Sequence, residues 1–277
     1  MTVDRRSVLR SASRLAALSA AGGLAAACGG PSDSPGANGP SVAARPQPAH
    51  LTESPGPSPS PSPSPSATPF ALPPLAADTP QEVVTGPHSR PQLALTFHGQ
   101  GDPAIATALL EAAEQRGARL TVLAVGSWLD EQPQIAQRIL SGGHELGNHT
   151  QNHLDICSMR PEQAHEEIAQ CAQRLQRLTG SIGRWFRPSA AQYANAMVKE
   201  QAQQVGYAHV LSFDVDPRDY ADPGADAVTR RVLKSAAAGS VVALHMGHPG
   251  TVTALPAILD GLAGQGLHAV TASELCA

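Results

Sequence analysis

The histidines and acids of this sequence gather in short clusters, most of them directly after an apolar run. His149-Thr150-Gln151-Asn152-His153 sets two imidazoles four residues apart, so one turn of chain can bring both to a single metal ion. Alone that spacing is weak evidence, because surface helices produce it by chance. Leu244-His245-Met246-Gly247-His248 closes the run Val241–Leu244, and an imidazole leaving a buried strand end is placed for general acid–base work. Phe213-Asp214-Val215-Asp216-Pro217-Arg218-Asp219-Tyr220 carries carboxylates that could hold a nearby imidazolium and raise its pKa, or could serve a solvated turn. Trp185-Phe186-Arg187-Pro188 offers a cation for a catalytic carboxylate or for a surface ion pair. Ala94-Leu95-Thr96-Phe97-His98-Gly99-Gln100-Gly101-Asp102-Pro103 runs from an apolar strand into a Gly-rich polar loop.

Several chemistries are excluded. The Gly-rich loop lacks the Gly-Lys-Ser/Thr ending of a phosphate loop. No Gly-x-Ser-x-Gly occurs, which argues against a serine hydrolase. His144-Glu145 begins like a zinc protease motif, but the fifth residue is Asn148. The formal charge of −4 becomes −7 beyond residue 27, with 15 basic and 22 acidic residues. No Lys/Arg stripe remains, so no nucleic-acid partner is expected.

These clusters need a frame to hold them. From Gln92 short apolar runs alternate with amphipathic segments. Strands are expected at Leu93–Phe97, Leu120–Val125, Glu145–Asn148, Trp185–Arg187, His209–Phe213, Val241–His245 and Ala269–Thr271. The clearest helix is Pro161–Leu178, where Ala164, Ile168, Cys171, Leu175 and Leu178 recur at helical spacing, with Pro161 at the start and Gly180 just past the end. A second runs from Val252 to Leu262. Strands alternating with helices imply a parallel α/β sheet. About seven such repeats fit a deformed (β/α) barrel, whose chemistry sits at the C-terminal strand ends.

Residues 1–27 have the order of a signal peptide. Arg5-Arg6 and Arg10 form a twin-arginine-like start, and Leu15–Ala27 is a weakly apolar stretch too short to span a bilayer. It ends in Leu24-Ala25-Ala26-Ala27-Cys28, which resembles a lipobox. Export is therefore expected, with Cys28 carrying lipid on the outer face of a bacterial cytoplasmic membrane, or secretion instead. Residues 28–88 are Pro/Ser/Ala/Gly-rich and are expected to form a disordered linker, leaving 89–277 as the folded domain. Cys157 and Cys171 could form a bridge in an oxidising compartment, or Cys171 could be a buried thiol; spacing does not choose.

Taken in order, the five clusters resemble the polysaccharide deacetylase family, carbohydrate esterase family four. Its pattern is a strand ending Thr-Phe-Asp-Asp, then His-Ser/Thr-x-x-His, Arg-Pro-Pro, an Asp-containing segment, and Leu-His-Asp. The resemblance covers about Gln92–Leu275. It implies a deformed barrel that removes acetyl groups from acetylated polysaccharides with a divalent metal, zinc being the chemically apt choice. It further implies His149 and His153 as metal ligands, Arg187 as the residue orienting the base, Asp219 as the support of the acid, and His245 as the acid.

The sequence departs from the family at the first motif, where His98-Gly99 stands in place of the two aspartates. Gly99 has no side chain to donate. The third ligand is then His98, with Asp102 as base, or the reverse, or water alone; the first assignment is adopted. Milder departures are Tyr220 for Trp, Pro188-Ser189-Ala190 for the Pro-rich loop, and Met246 for Asp. Two other readings stay open: a non-catalytic glycan-binding descendant, and a hydrolase of another amide or ester.

Overall fold

The structure, a computed structural model, describes residues 71–277; Cys28 and the expected leader lie outside them. Among the described residues eight strands and eight α-helices mostly alternate. The strands are β1 (Glu82–Val83), β2 (Gln92–Gly99), β3 (Thr121–Ala124), β4 (Glu145–Asn148), β5 (Trp185–Phe186), β6 (His209–Leu211), β7 (Val241–His245) and β8 (His268–Val270). All named strand pairs are parallel, in the order β1-β6-β5-β4-β3-β2-β7, with β8 joined to the N-terminal half of β2. The sheet closes where the chain beyond β6 returns to β7. Val215 bridges Val242 in parallel, and Thr85 after β1 bridges Ser240. This is the deformed barrel the alternating pattern implied.

Helices cover the outside: α1 (Pro103–Glu114), α2 (Gly126–Glu131), α3 (Gln134–Ser141), α4 (Pro161–Thr179), α5 (Ala196–Val205), α6 (Ala225–Ser235), α7 (Pro249–Gly264) and α8 (Ala272–Leu275). Helix α4 shows why its sequence was legible. Pro161 opens it, Gly180 ends it at φ 79°, and Ala164, Ile168, Cys171, Ala172 and Leu175 lie buried along one stripe. The core is mainly aliphatic, as the scarcity of aromatics requires. Leu93, Leu95, Leu109, Leu110, Leu120 and Leu123 are wholly buried alongside Trp185, Phe97 and Phe186.

The expected linker boundary at residue 88 lies too late. Leu75 already packs against the Val83–Leu211–Trp185 cluster. The Ala76 N–H donates to Cys276 O at 3.0 Å, and β1 pairs with β6. A two-residue strand gains its stability from the edge it joins, so a composition average over a Pro-rich window cannot reveal it. Cys157, Cys171 and Cys276 are free thiols. Burial pushes the Cys171 thiol up to about 12, which makes it an inert packing group.

His144 and Glu145 have structural partners. His144 Nδ1 accepts the Leu120 N–H. Glu145 accepts Thr121 Oγ1, Ser273 N and Ser273 Oγ, a buried clasp between β3, β4 and α8. Burial raises its pKa.

The register decides what meets at the C-terminal rim. His98 of β2 lies directly opposite His245 of β7, Gly99 opposite Ala124, and Ala124 opposite Asn148. Asn148 pairs with Phe186, so His149 and Arg187 leave the barrel side by side. The four clusters that carry His98, His149, Arg187 and His245 thereby reach one end.

Candidate active site

The His149–His153 segment is a non-helical turn. Thr150 and His153 both have positive φ, 67° and 56°, a region side chains with a Cβ seldom occupy. Surrounding bonds hold it there. Thr150 N donates to Asn148 Oδ1, and His153 N donates to Thr150 Oγ1. Glu167, projecting from α4, accepts Asn152 N at 2.8 Å and Asn152 Nδ2 at 2.6 Å. Gln151 Nε2 donates to Asp130. Motif spacing singles out His149 and His153 but not Glu167, whose one signal in the sequence is an acid beside Ile168 on the otherwise apolar stripe of α4.

His98, His149 and His153 converge so that one ligand atom from each lies within 4.8 Å of the others. The ring centroids of His98 and His149 are 4.4 Å apart, and those of His149 and His153 are 4.8 Å apart. His149 Nδ1 faces the Arg187 carbonyl at 3.0 Å. With the proton on Nδ1, Nε2 carries a lone pair, and this Nε2 is buried without a hydrogen-bond partner, as is His98 Nε2. Two orphaned imidazole nitrogens side by side are costly unless something binds them. Burial, then the neighbouring imidazole and the Arg187 charge, holds His98 well below the usual histidine range; burial does the same for His149 and, more weakly, for His153. All three are thus neutral at pH 7, the form that ligates. The residues present fit a divalent metal, and a three-imidazole set with open positions suits zinc.

His245 and Asp219 form a hydrogen-bonded pair. Asp219, only 1 % exposed, accepts His245 Nδ1 at 2.8 Å, the His245 N–H at 2.8 Å and Thr251 Oγ1 at 2.7 Å. A carboxylate facing Nδ1 fixes the proton there and leaves Nε2 free. Thr251 lies 32 residues from its partner and carries no local signal. The His245 and His98 rings stand edge to face at 4.4 Å. Between these groups opens a cavity of about 550 Å³, lined by His98, His153, Phe213, Tyr220, His245 and His248 among others.

Two expectations fail. Asp102 is not in the site. It is exposed and caps α1, its Oδ1 accepting Ala104 N at 2.8 Å. An Asp before Pro at a helix start is a strong N-cap, and this competes with any catalytic use. Arg187 orients no carboxylate. It is wholly buried, donates from Nε to Leu211 O and from Nη2 to Ser212 O, and leaves Nη1 without a partner. Its cation lies over the Phe213 ring at 5.3 Å, and burial pushes its pKa down to about 9. With His98 where the family has an aspartate, its usual counter-charge is missing.

The chain is similar to known proteins in sequence and in fold. The polysaccharide deacetylase family model matches residues 85–210. A peptidoglycan-N-acetylglucosamine deacetylase of Bacillus cereus is 34% identical over 193 residues, covering 68% of this chain and 90% of the relative. The chain belongs to the polysaccharide deacetylase family. Among solved structures, a peptidoglycan N-acetylglucosamine deacetylase bound to an N-hydroxybenzamide superposes with TM-score 0.66 at 26% identity, over 70% of this chain and 92% of the other. A Bacillus anthracis protein described as a pseudoenzyme of carbohydrate esterase family four has the same fold, with TM-score 0.68 at 21% identity over 72% of this chain and 70% of the other. Family membership accounts for the order of the five clusters. At the first motif this chain carries His98-Gly99.

Proposed function

We propose that this chain is a metal-dependent hydrolase, with zinc as its metal, that removes acetyl groups from a cell-wall or extracellular polysaccharide. The observation that carries the reading is the meeting of His98, His149 and His153 beside the His245–Asp219 pair in one cavity. The names of the relatives support the substrate class, since they include deacetylases of peptidoglycan and of chitooligosaccharide. His98, His149 and His153 would hold the ion. When bound, it would polarise the acetyl carbonyl and lower the pKa of a water.

With Asp102 turned away as a helix cap, His245 is the proton carrier for both halves of the reaction. Its Nε2 accepts the proton of the attacking water while Asp219 stabilises the imidazolium. The same Nε2 then returns the proton to the leaving sugar nitrogen or oxygen, so the acetyl group departs as acetic acid, which ionises to acetate by giving its remaining proton to the freed amine or to water.

A specific observation favours a second reading, a non-catalytic glycan-binding protein. The buried Arg187 cation has no carboxylate beside it, and the first-motif aspartates are absent. Metal analysis of the purified chain together with acetate release from N-acetylated glucosamine oligomers separates the two. Stoichiometric divalent metal and acetate release, both lost in His149→Ala, are expected. Absence of metal, with His149→Ala changing nothing, overturns the enzyme reading.

The proposal extends to location. The chain acts outside the cytoplasmic membrane, held by lipid on Cys28. Partition of the full chain into detergent, lost in Cys28→Ala, is the expected result; equal partition of both overturns it.

A further inference from the structure

A second His–Asp pair stands at the mouth of the same cavity. His248 Nδ1 faces Asp222 Oδ1 at 2.9 Å. The pairs run in step: Asp219 and Asp222 lie three residues apart on one turn, while His245 ends β7 and His248 lies three residues further on, just before α7. In the inner pair the Asp219 side chain is buried and that of His245 is 22% exposed. The outer pair is open, with the Asp222 side chain 66% exposed and that of His248 26% exposed.

Position and backbone argue against an incidental surface ion pair. His248 lines the cavity together with His245, and their ring centroids lie 5.9 Å apart. The loop that carries it is clamped, because a Cβ on Gly101 (φ 120°) would meet Gly247 Cα at 2.5 Å. Asp222 is held at φ 48°, in the left-handed region, where its N–H donates to Asp219 O at 2.9 Å. An exposed ion pair contributes little to stability, yet here a left-handed aspartate and a locked loop fix one imidazole. With Nδ1 taken by Asp222, only Nε2 is left for a ligand. Among the described residues no Lys or Arg lines the cavity, Asp216 is its one lining carboxylate, and Tyr220, 47% exposed, stands edge to face with His245 at 5.2 Å.

We infer that His248 is a substrate-binding residue, positioned by Asp222, which hydrogen-bonds a hydroxyl of an uncharged sugar ring adjoining the sugar held at His245. This rests on the polysaccharide deacetylase reading. One lost hydrogen bond of about 1.4 kcal/mol corresponds to a tenfold weaker complex. The test uses the full metal-loaded chain with tetra-N-acetylchitotetraose and, as a sugar-free comparison, p-nitrophenyl acetate.

In His248→Ala, KM for the tetrasaccharide is expected to rise about tenfold, with kcat changing less, so that kcat/KM falls about tenfold relative to the ester. His248→Gln, which keeps a polar nitrogen near the Nε2 position, should recover part of the loss. Asp222→Ala should resemble His248→Ala, while Asp222→Asn should retain binding. Equal losses on both substrates, or no change on either, overturn the inference. Calorimetric binding of the tetrasaccharide separates the two proposals. If wild type binds it tenfold more tightly than His248→Ala but releases no acetate, the subsite stands and the deacetylase reading falls. If wild type neither binds nor cleaves it, both fall.

Discussion

Replacing Asp219 by Asn tests the acid–base pair through a change of tautomer. The carboxylate accepts three hydrogen bonds, one at Oδ1 from His245 Nδ1 and two at Oδ2 from His245 N and Thr251 Oγ1. An asparagine amide can keep all three contacts if its oxygen takes the Oδ2 place and its NH2 the Oδ1 place. The NH2 then donates to His245 Nδ1, which drives the ring proton to Nε2. That atom can no longer accept a proton from water. The same inversion in a Ser-His-Asp triad costs about 10⁴ in rate, and a loss of about 10³-fold or more in kcat is expected here.

Stability should respond differently. Three charge-assisted bonds become neutral ones, at about 1 kcal/mol each, offset by relief from burying a charge. Asp219→Asn should therefore lose only about 1–3 kcal/mol. Asp219→Ala leaves three donors unpaired in a dry site, at about 1–3 kcal/mol each. It should unfold at least about 2 kcal/mol below the Asn variant, or roughly 4–8 °C lower in a domain of this size. Nitrogen NMR of the imidazoles reads the tautomer without reference to activity, and urea unfolding reads stability. A His245 ring that keeps its proton on Nδ1 in Asp219→Asn, or acetate release within tenfold of wild type, would falsify the mechanism.

Other predictions follow from the same geometry. His98 and His149 are held below the usual histidine range, so below about pH 6.5 the unfolded chain binds protons the native one does not, and stability is lost as pH falls. The metal-free protein should therefore be less stable to urea at pH 5.5 than at pH 7.5; His98→Gln and His149→Gln should each flatten that slope, and unchanged slopes would refute the assignment. Restoring the family aspartate as Gly99→Asp should destabilise the protein, because a Cβ there meets Val122 Cγ1 at 2.8 Å and Ala124 Cα at 3.0 Å. A loss of about 1–3 kcal/mol from overpacking alone is expected, and a variant as stable as wild type with tighter metal binding would contradict it. Glu167→Ala removes both bonds to Asn152, and metal affinity should fall about 10–100-fold, as for other supports of metal ligands; calorimetric titration with zinc decides.

What the sequence determined by itself was what chain neighbours can encode. The alternation of apolar strands and amphipathic helices implied the barrel, and β4 and β7 have the bounds their apolar runs suggested. Pro161 and Gly180 bracketed α4, because proline opens helices and glycine ends them. The order of His149, His153, Arg187, Asp219 and His245 along the chain carried the family resemblance. Only the tertiary structure decided between His98 and Asp102. They lie four residues apart in sequence, yet strand register sets His98, in β2, opposite His245, while Asp102 is drawn into capping α1. Likewise it alone brought Thr251 to Asp219, Glu167 to Asn152 and Asp222 to His248, and left Arg187 without a counter-charge. Hydrogen-bond partners 15 to 32 residues apart in sequence are joined by closure of the barrel, and no local pattern records that closure.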